Sequence, residues 1–211
     1  MSAVAADRPE TGAASDPLAP LVARARTGDR AALRDLLRAL GPSMIRVAHA
    51  LLGRDRADAD DAVQESLLGL VRALPTFRGE SSITHFAGRI AVRAALLARK
   101  RRRTHEQRLS SFALEEEPTT TDPDDDAIAS RRRAILRALV EELPEAQAES
   151  LTLRIVLGCS MEEVATLTGV PLNTVRSRLR LAKEVLRRKI EADETAAELL
   201  AIDGPWEGRG A

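Results

Sequence analysis

The 211-residue chain carries a single cysteine, Cys159. No intrachain disulfide can form, and this usage fits a reducing compartment. It has no tyrosine, three phenylalanines and one tryptophan, so Leu, Val, Ile and Ala must build any core. Leu and Ala favour helix over strand. No apolar run approaches the length of a membrane span, and the first residues lack a signal-peptide pattern. These absences lead us to expect a soluble, cytoplasmic protein without membrane insertion. His49, His85 and His105 are far apart and have no Cys or carboxylate at metal-ligand spacing, so no metal is expected. A Gly-rich phosphate loop, a Ser-His-Asp set and a carboxylate pair are likewise missing. The sequence therefore offers no enzyme and no cofactor site.

What is present is charge, unevenly placed. The 32 basic and 32 acidic residues cancel. Along the chain they separate. Residues 17–114 hold 18 bases against 9 acids, residues 115–130 hold 7 acids and no base, and residues 131–190 hold 12 bases against 7 acids. Two basic blocks flank an acidic strip, an asymmetry that points to nucleic-acid contact. Lysine occurs only at 100, 183 and 189, so arginine supplies almost all of the positive charge.

Periodicity gives an all-α reading with two small domains. Residues 1–17 are polar and expected to be disordered. A helical pattern runs from Leu18 to Leu52, broken at Thr27-Gly28 and more weakly at Gly41-Pro42. The next helix, from about Asp58 to Leu74, places Val63, Leu67, Leu70, Val71 and Leu74 on one face, and Pro75 stops it. After the loop Thr76–Glu80, Ser81 or Ser82 can cap a helix reaching about Arg103, with a core stripe of Ile83, Phe86, Ile90, Ala94 and Leu97. Residues 105–130, with Glu115–Glu117 and Asp124–Asp126, cannot bury a core and read as a flexible acidic linker. Helical pattern resumes at Arg131 with Ile135, Leu136, Leu139 and Val140. It breaks at Leu143-Pro144 and continues from Glu145 to about Leu157, ending at Gly158. Residues 191–211 form an acidic tail, where Trp206 could anchor a partner. Cys159 precedes a helix start, which could lower its pKa, although a packing role is the plainer reading.

The strongest local signal lies between Ser160 and Lys189. Ser160-Met161-Glu162-Glu163 is a capping box. A short helix, a turn at Thr168-Gly169-Val170, and a second helix opening at Pro171 follow. Val164, Val170 and Val175 form the wedge between the two helices, and Leu172, Leu179 and Ala182 extend the buried face. This is a helix-turn-helix. Its polar face carries Asn173, Thr174, Ser177 and Arg180, flanked by Arg176 and Arg178. Asn and Arg can pair bidentately with adenine and guanine edges in a major groove, and flanking Arg can grip phosphates.

These residues, with Leu143-Pro144-Glu145 upstream, resemble region 4 of extracytoplasmic-function (ECF) sigma factors. A second set resembles region 2 of the same family: Asp58-Ala59-Asp60-Asp61-Ala62-Val63-Gln64-Glu65, then Phe77-Arg78-Gly79-Glu80, then Arg89-Ile90-Ala91, then Arg99-Lys100-Arg101-Arg102-Arg103. Together they cover residues 18–104 and 131–190. The resemblance implies a non-catalytic specificity subunit that binds core RNA polymerase and promoter DNA. It places the −35 element on Asn173, Thr174, Arg176, Ser177, Arg178 and Arg180, in a domain that also docks on the polymerase β subunit. It places the opened −10 element on Phe77, Arg78, His85, Arg89, Arg93, Lys100 and Arg103. Asp58, Asp61, Gln64, Glu65 and Leu68 would meet the polymerase β′ subunit. The family commonly has Trp where this chain has His85, so aromatic stacking on unpaired bases is scarce and the expected −10 preference and melting are weaker. An anti-sigma factor is a further candidate partner. Two other readings stay open on the residues alone: a stand-alone or degenerate helix-turn-helix regulator, and a helical adaptor with no DNA role.

Overall fold

The computed structural model describes residues 16–53, 57–109, 127–193 and 196–197. Eight α-helices and no strand occur among them: α1 Ala19–Arg26, α2 Arg30–Leu52, α3 Ala57–Ala73, α4 Ile83–Leu109, α5 Ala127–Glu141, α6 Glu145–Ile155, α7 Met161–Thr168 and α8 Leu172–Ala192. A single 3-10 turn, Leu74–Thr76, follows α3. Helices α1 to α4 pack as one bundle, and α6 to α8 pack as a second. The acidic segment 110–126, the Trp206 tail and the first fifteen residues lie outside the described residues.

The break after α1 has a clear cause. Gly28 adopts φ +92°, which a side chain would resist. Asp29 then caps α2, its carboxylate accepting from the amides of Ala31 (2.9 Å) and Ala32 (3.0 Å). The expected weak break at Gly41-Pro42 does not occur: α2 runs through Pro42 unbroken. Pro42 is exposed, so water can serve the Arg38 carbonyl that loses its helical donor.

The expected core stripes on α3 and α4 are rotated. On α3 the fully buried positions are Ala59, Ala62, Ser66 and Leu70, whereas Val63 and Leu67 are half-buried and Val71 is 37% exposed. Small residues let α3 approach its neighbours closely. A hydroxyl at Ser66 fits there because it donates to the Val63 carbonyl at 2.7 Å, leaving no unpaired polar group. On α4 the buried line is Ile83, Ala87, Ala91, Val92, Ala95 and Leu96. Phe86, Ile90 and Ala94 are half-buried, and Leu97 is 44% exposed. Alanines suit α4 because it packs against four helices, α2, α3, α6 and α7. Ser82 is the cap, accepting from the His85 amide at 3.1 Å. Helix α4 continues to Leu109, beyond the expected end near Arg103 and into the segment read as linker. Helix α6 ends at Ile155, two residues before the expected Leu157.

The buried residues of the two bundles form one continuous apolar cluster. Leu139 and Leu143 from the α5 end, and Ala148, Leu151 and Leu153 from α6, join the same cluster as Leu36, Leu40 and Met44 of α2. The halves therefore pack against each other rather than standing apart on their tether.

Candidate nucleic-acid and polymerase interface

Helices α7 and α8 form the expected helix-turn-helix. Ser160 accepts from the Glu163 amide at 3.0 Å, and the Glu163 carboxylate accepts from the Ser160 amide at 2.7 Å. Both arms of the capping box are thus made, and two otherwise orphaned N–H donors are satisfied. Gly169 closes α7 with φ +69°, ψ +29°, the left-handed conformation that glycine adopts without steric cost. Val164 and Val175 are fully buried between the helices, with Val170 half-buried beside them.

The opposite face of α8 is open. Asn173, Arg176, Ser177 and Arg180 are exposed, and Thr174 and Arg178 are half-buried. Arg176 Nη1 donates to Asn173 Oδ1 at 3.2 Å, so the two groups most suited to base edges already lie side by side. Arg180 has Glu184 at 3.6 Å, and Glu184 also pairs with Arg188. Such exposed i,i+4 pairs are weak and are readily exchanged for phosphate.

On α3, Asp61, Gln64, Glu65 and Leu68 are all exposed, with Leu68 at 53%. Val71 lies beside them on the same exposed side. The result is an acidic face with an uncovered aliphatic centre. Asp58 differs from its neighbours: it is half-buried and accepts from Arg102 at 3.4 Å.

The basic stripe of α4 divides. Arg93, Lys100 and Arg103 are exposed. His85 and Arg89 instead face the second bundle. His85 Nδ1 sits 2.8 Å from Glu163 Oε1, and Arg89 Nε donates to Glu149 Oε1 at 3.3 Å. Partial burial pushes the Glu163 carboxyl up, but the Ser160 amide and hydroxyl and the adjacent His85 outweigh it and hold it below the ordinary glutamate value. Ahead of α4, Phe77 is half-buried with its ring 4.9 Å from that of Phe86, tilted by 50°. That ring is thus partly engaged in packing. Arg78 is exposed. A shallow cavity beside this loop is lined by Asp16, Val22, Arg26, Phe77, Arg78 and Ser81.

Several residues at these junctions carry no signal in the sequence. Asp16 accepts from the amides of Leu18 (2.9 Å) and Ile83 (2.8 Å), tying the chain entry to the start of α4. Arg99, within the basic run, is buried, donates to the Val140 carbonyl at 3.0 Å, and has its pKa pushed down by burial. Arg102 joins Asp58 to Glu141 of α5. Apart from the Leu18 amide, the partners that reveal these roles lie 39 to 67 residues away. Cys159 is fully buried, and burial pushes its thiol up to about 12. The helix start does not activate it, and packing is its role.

Comparison with known proteins agrees with this geometry. The sigma-70 region 2 family model matches residues 36–105, and that of sigma-70 region 4 matches residues 133–186. The chain is 31% identical over 185 residues to the RNA polymerase sigma-H factor of Pseudomonas aeruginosa, covering 81% of this chain and 92% of that protein. It is 33% identical over 184 residues to the ECF RNA polymerase sigma-E factor of Salmonella typhimurium, covering 81% and 93%. In fold it is similar to the sigma factor RpoE of Bartonella quintana, solved in complex with the anti-sigma factor NepR. That match has a TM-score of 0.55 at 21% identity and covers 81% of this chain and 98% of that one. The chain belongs to the ECF subfamily of sigma-70 RNA polymerase sigma factors.

Proposed function

We propose that this chain binds core RNA polymerase through the exposed face of α3, with Asp61, Gln64, Glu65 and Leu68 in contact and Asp58 at the edge. On this reading α8 enters the major groove of the −35 element. Asn173, Arg176 and Arg180 meet base edges there, and Thr174, Ser177 and Arg178 set the register. The loop with Phe77 and Arg78, and the edge of α4 with His85, Arg89, Arg93, Lys100 and Arg103, hold the opened −10 element. The working units are residues 18–104 and 131–190, joined by the acidic segment 105–130 and flanked by the termini. The chain carries specificity and no catalysis of its own, and it acts in the cytoplasm. No helix among the described residues is long and apolar enough to cross a membrane. The solved relative bound to an anti-sigma factor supports a partner of that kind here.

One observation carries this reading. Two exposed faces of opposite character coexist: an acidic one with a bare leucine on α3, and one on α8 whose Asn and Arg groups sit at groove-reading positions. A simple repressor has no need of the first. The test is co-elution of the purified chain with bacterial core RNA polymerase. Wild type is expected to co-elute, and Asp61→Arg with Glu65→Arg is expected to separate. Equal co-elution of both would remove α3 as the docking face. In the assembled holoenzyme, Arg176→Ala should weaken promoter binding by about 1–3 kcal/mol.

A further inference from the structure

Two adjacent leucines on α4 have opposite settings. Leu96 is 3% exposed and fills the core, whereas Leu97 points out of the bundle at 44% exposure. Core packing is served by the first and has no use for the second. The surroundings of Leu97 are cationic throughout. Arg93, one turn before it, and Lys100 and Arg101, one turn after it, are all exposed. No Asp or Glu occurs between Ile83 and His105, although a solvated helix face ordinarily mixes both signs. Leu68 on α3 is the contrasting case. It lies bare beside the carboxylates of Asp61 and Glu65, a setting that suits a basic protein surface. A leucine ringed by cations suits a polyanion that also carries apolar groups.

Nucleic acid is such a polyanion, and the apolar group that its base edges offer is the thymine C5-methyl. Arg93 and Lys100 stand about 10 Å apart along the helix axis, the rise of about three nucleotides of stacked strand. Cations so spaced can grip phosphates on either side of a base that Leu97 faces, fixing register without reading sequence. We propose that Leu97 is a specificity-determining residue of the −10 contact, which reads one thymine through its C5-methyl group. The inference rests on α4 being DNA-facing. A cytosine or uracil at that position would leave the leucine against a bare ring edge. One buried methyl group is worth about a fourfold change in binding. Aromatic rings are scarce on this face, and an aliphatic contact supplies base preference without them.

The test uses holoenzyme assembled from the full chain and bacterial core RNA polymerase. It first selects its own sites from a randomised duplex library. Each thymine in the −10 region of a selected site is then replaced singly by uracil, which differs only in lacking the methyl group. Affinities for each pair of DNAs are measured with wild type, Leu97→Ala and Leu97→Met. Alanine is a better helix former and position 97 is exposed, so the truncated chain keeps its fold. At one thymine, uracil is expected to weaken wild type about fourfold. At that position Leu97→Ala binds both DNAs equally, and Leu97→Met keeps the discrimination. At every other thymine the three proteins respond alike. Any effect of uracil on duplex stability cancels, because each protein meets the same pair of DNAs. Selected sites without thymine in the −10 region would overturn the inference, as would the lack of any position whose methyl response depends on Leu97. Loss of co-elution with core polymerase by Leu97→Ala would overturn it too, by assigning the leucine to the polymerase. Arg93→Ala with Lys100→Ala separates the two readings. If those changes leave every affinity as it was, the DNA role of α4 fails, and the leucine reading fails with it. If they weaken all probes evenly while the methyl response ignores Leu97, that role stands and only the leucine inference fails.

Discussion

Val71 and Val164 are the same residue type on two helices of one chain, and the structure gives them opposite fates. Val164 is fully buried in the α7–α8 wedge, whereas Val71 is 37% exposed on α3. Truncating Val164 to Ala removes two buried carbons, worth roughly 1.6 kcal/mol of transfer free energy. The cavity left in a wedge held by the Gly169 turn adds about 1 kcal/mol. Alanine's better helix propensity returns about 0.5 kcal/mol. The net cost of Val164→Ala is about 2 kcal/mol, or a fall in Tm of about 4–8 °C for a chain of this size. Val71→Ala loses about 1 kcal/mol of partial burial, leaves no cavity because solvent fills the site, and regains the same propensity. Its net cost is about 0.5 kcal/mol. Urea unfolding followed by circular dichroism at 222 nm separates the two, with midpoint shifts read at constant slope. Equal losses would refute the placement of α3 and restore the stripe that apolar spacing alone suggests.

Two further outcomes follow from the second bundle. Ser160→Ala removes one arm of the capping box and should cost about 1 kcal/mol, measured as a drop in Tm of about 2–4 °C; no shift would mean that α7 does not depend on its cap. The Cys159 thiol should resist a disulfide reagent at pH 8 in the native chain and react at once when the chain is denatured. Its folded value near 12 lies above the reference 9.0, so the unfolded chain loses this proton first. Stability from this group is therefore present below about pH 9 and is lost as pH rises from there toward 12. Cys159→Ala should flatten that alkaline slope, and an unchanged slope would exclude the thiol as its source.

The helix-turn-helix was fully legible in the sequence because its determinants are local. A capping box needs residues three apart, the turn needs one glycine with positive φ, and the recognition face follows from the helical period. The acidic face of α3 was legible for the same reason, since Asp61, Glu65 and Leu68 follow one another around a single helix. The core stripes were less so. Apolar spacing selects a face only when large aliphatic residues mark it. On α3 and α4 the tightest contacts are made by Ala59, Ala62, Ala87 and Ala91, which any helix surface can carry.

What the sequence by itself determined is the set of helices, the helix-turn-helix with its reading face, and the separation of charge into basic blocks. All of these depend on neighbours within a turn or two. Only the tertiary structure decided which charged groups stand free. His85, Arg89, Arg99 and Arg102 share one helix with Arg93, Lys100 and Arg103, yet the first four are held by Glu163, Glu149, Val140 and Glu141. Those partners lie 39 to 78 residues away along the chain. Burial and pairing depend on which surfaces meet in space, and no local period records that.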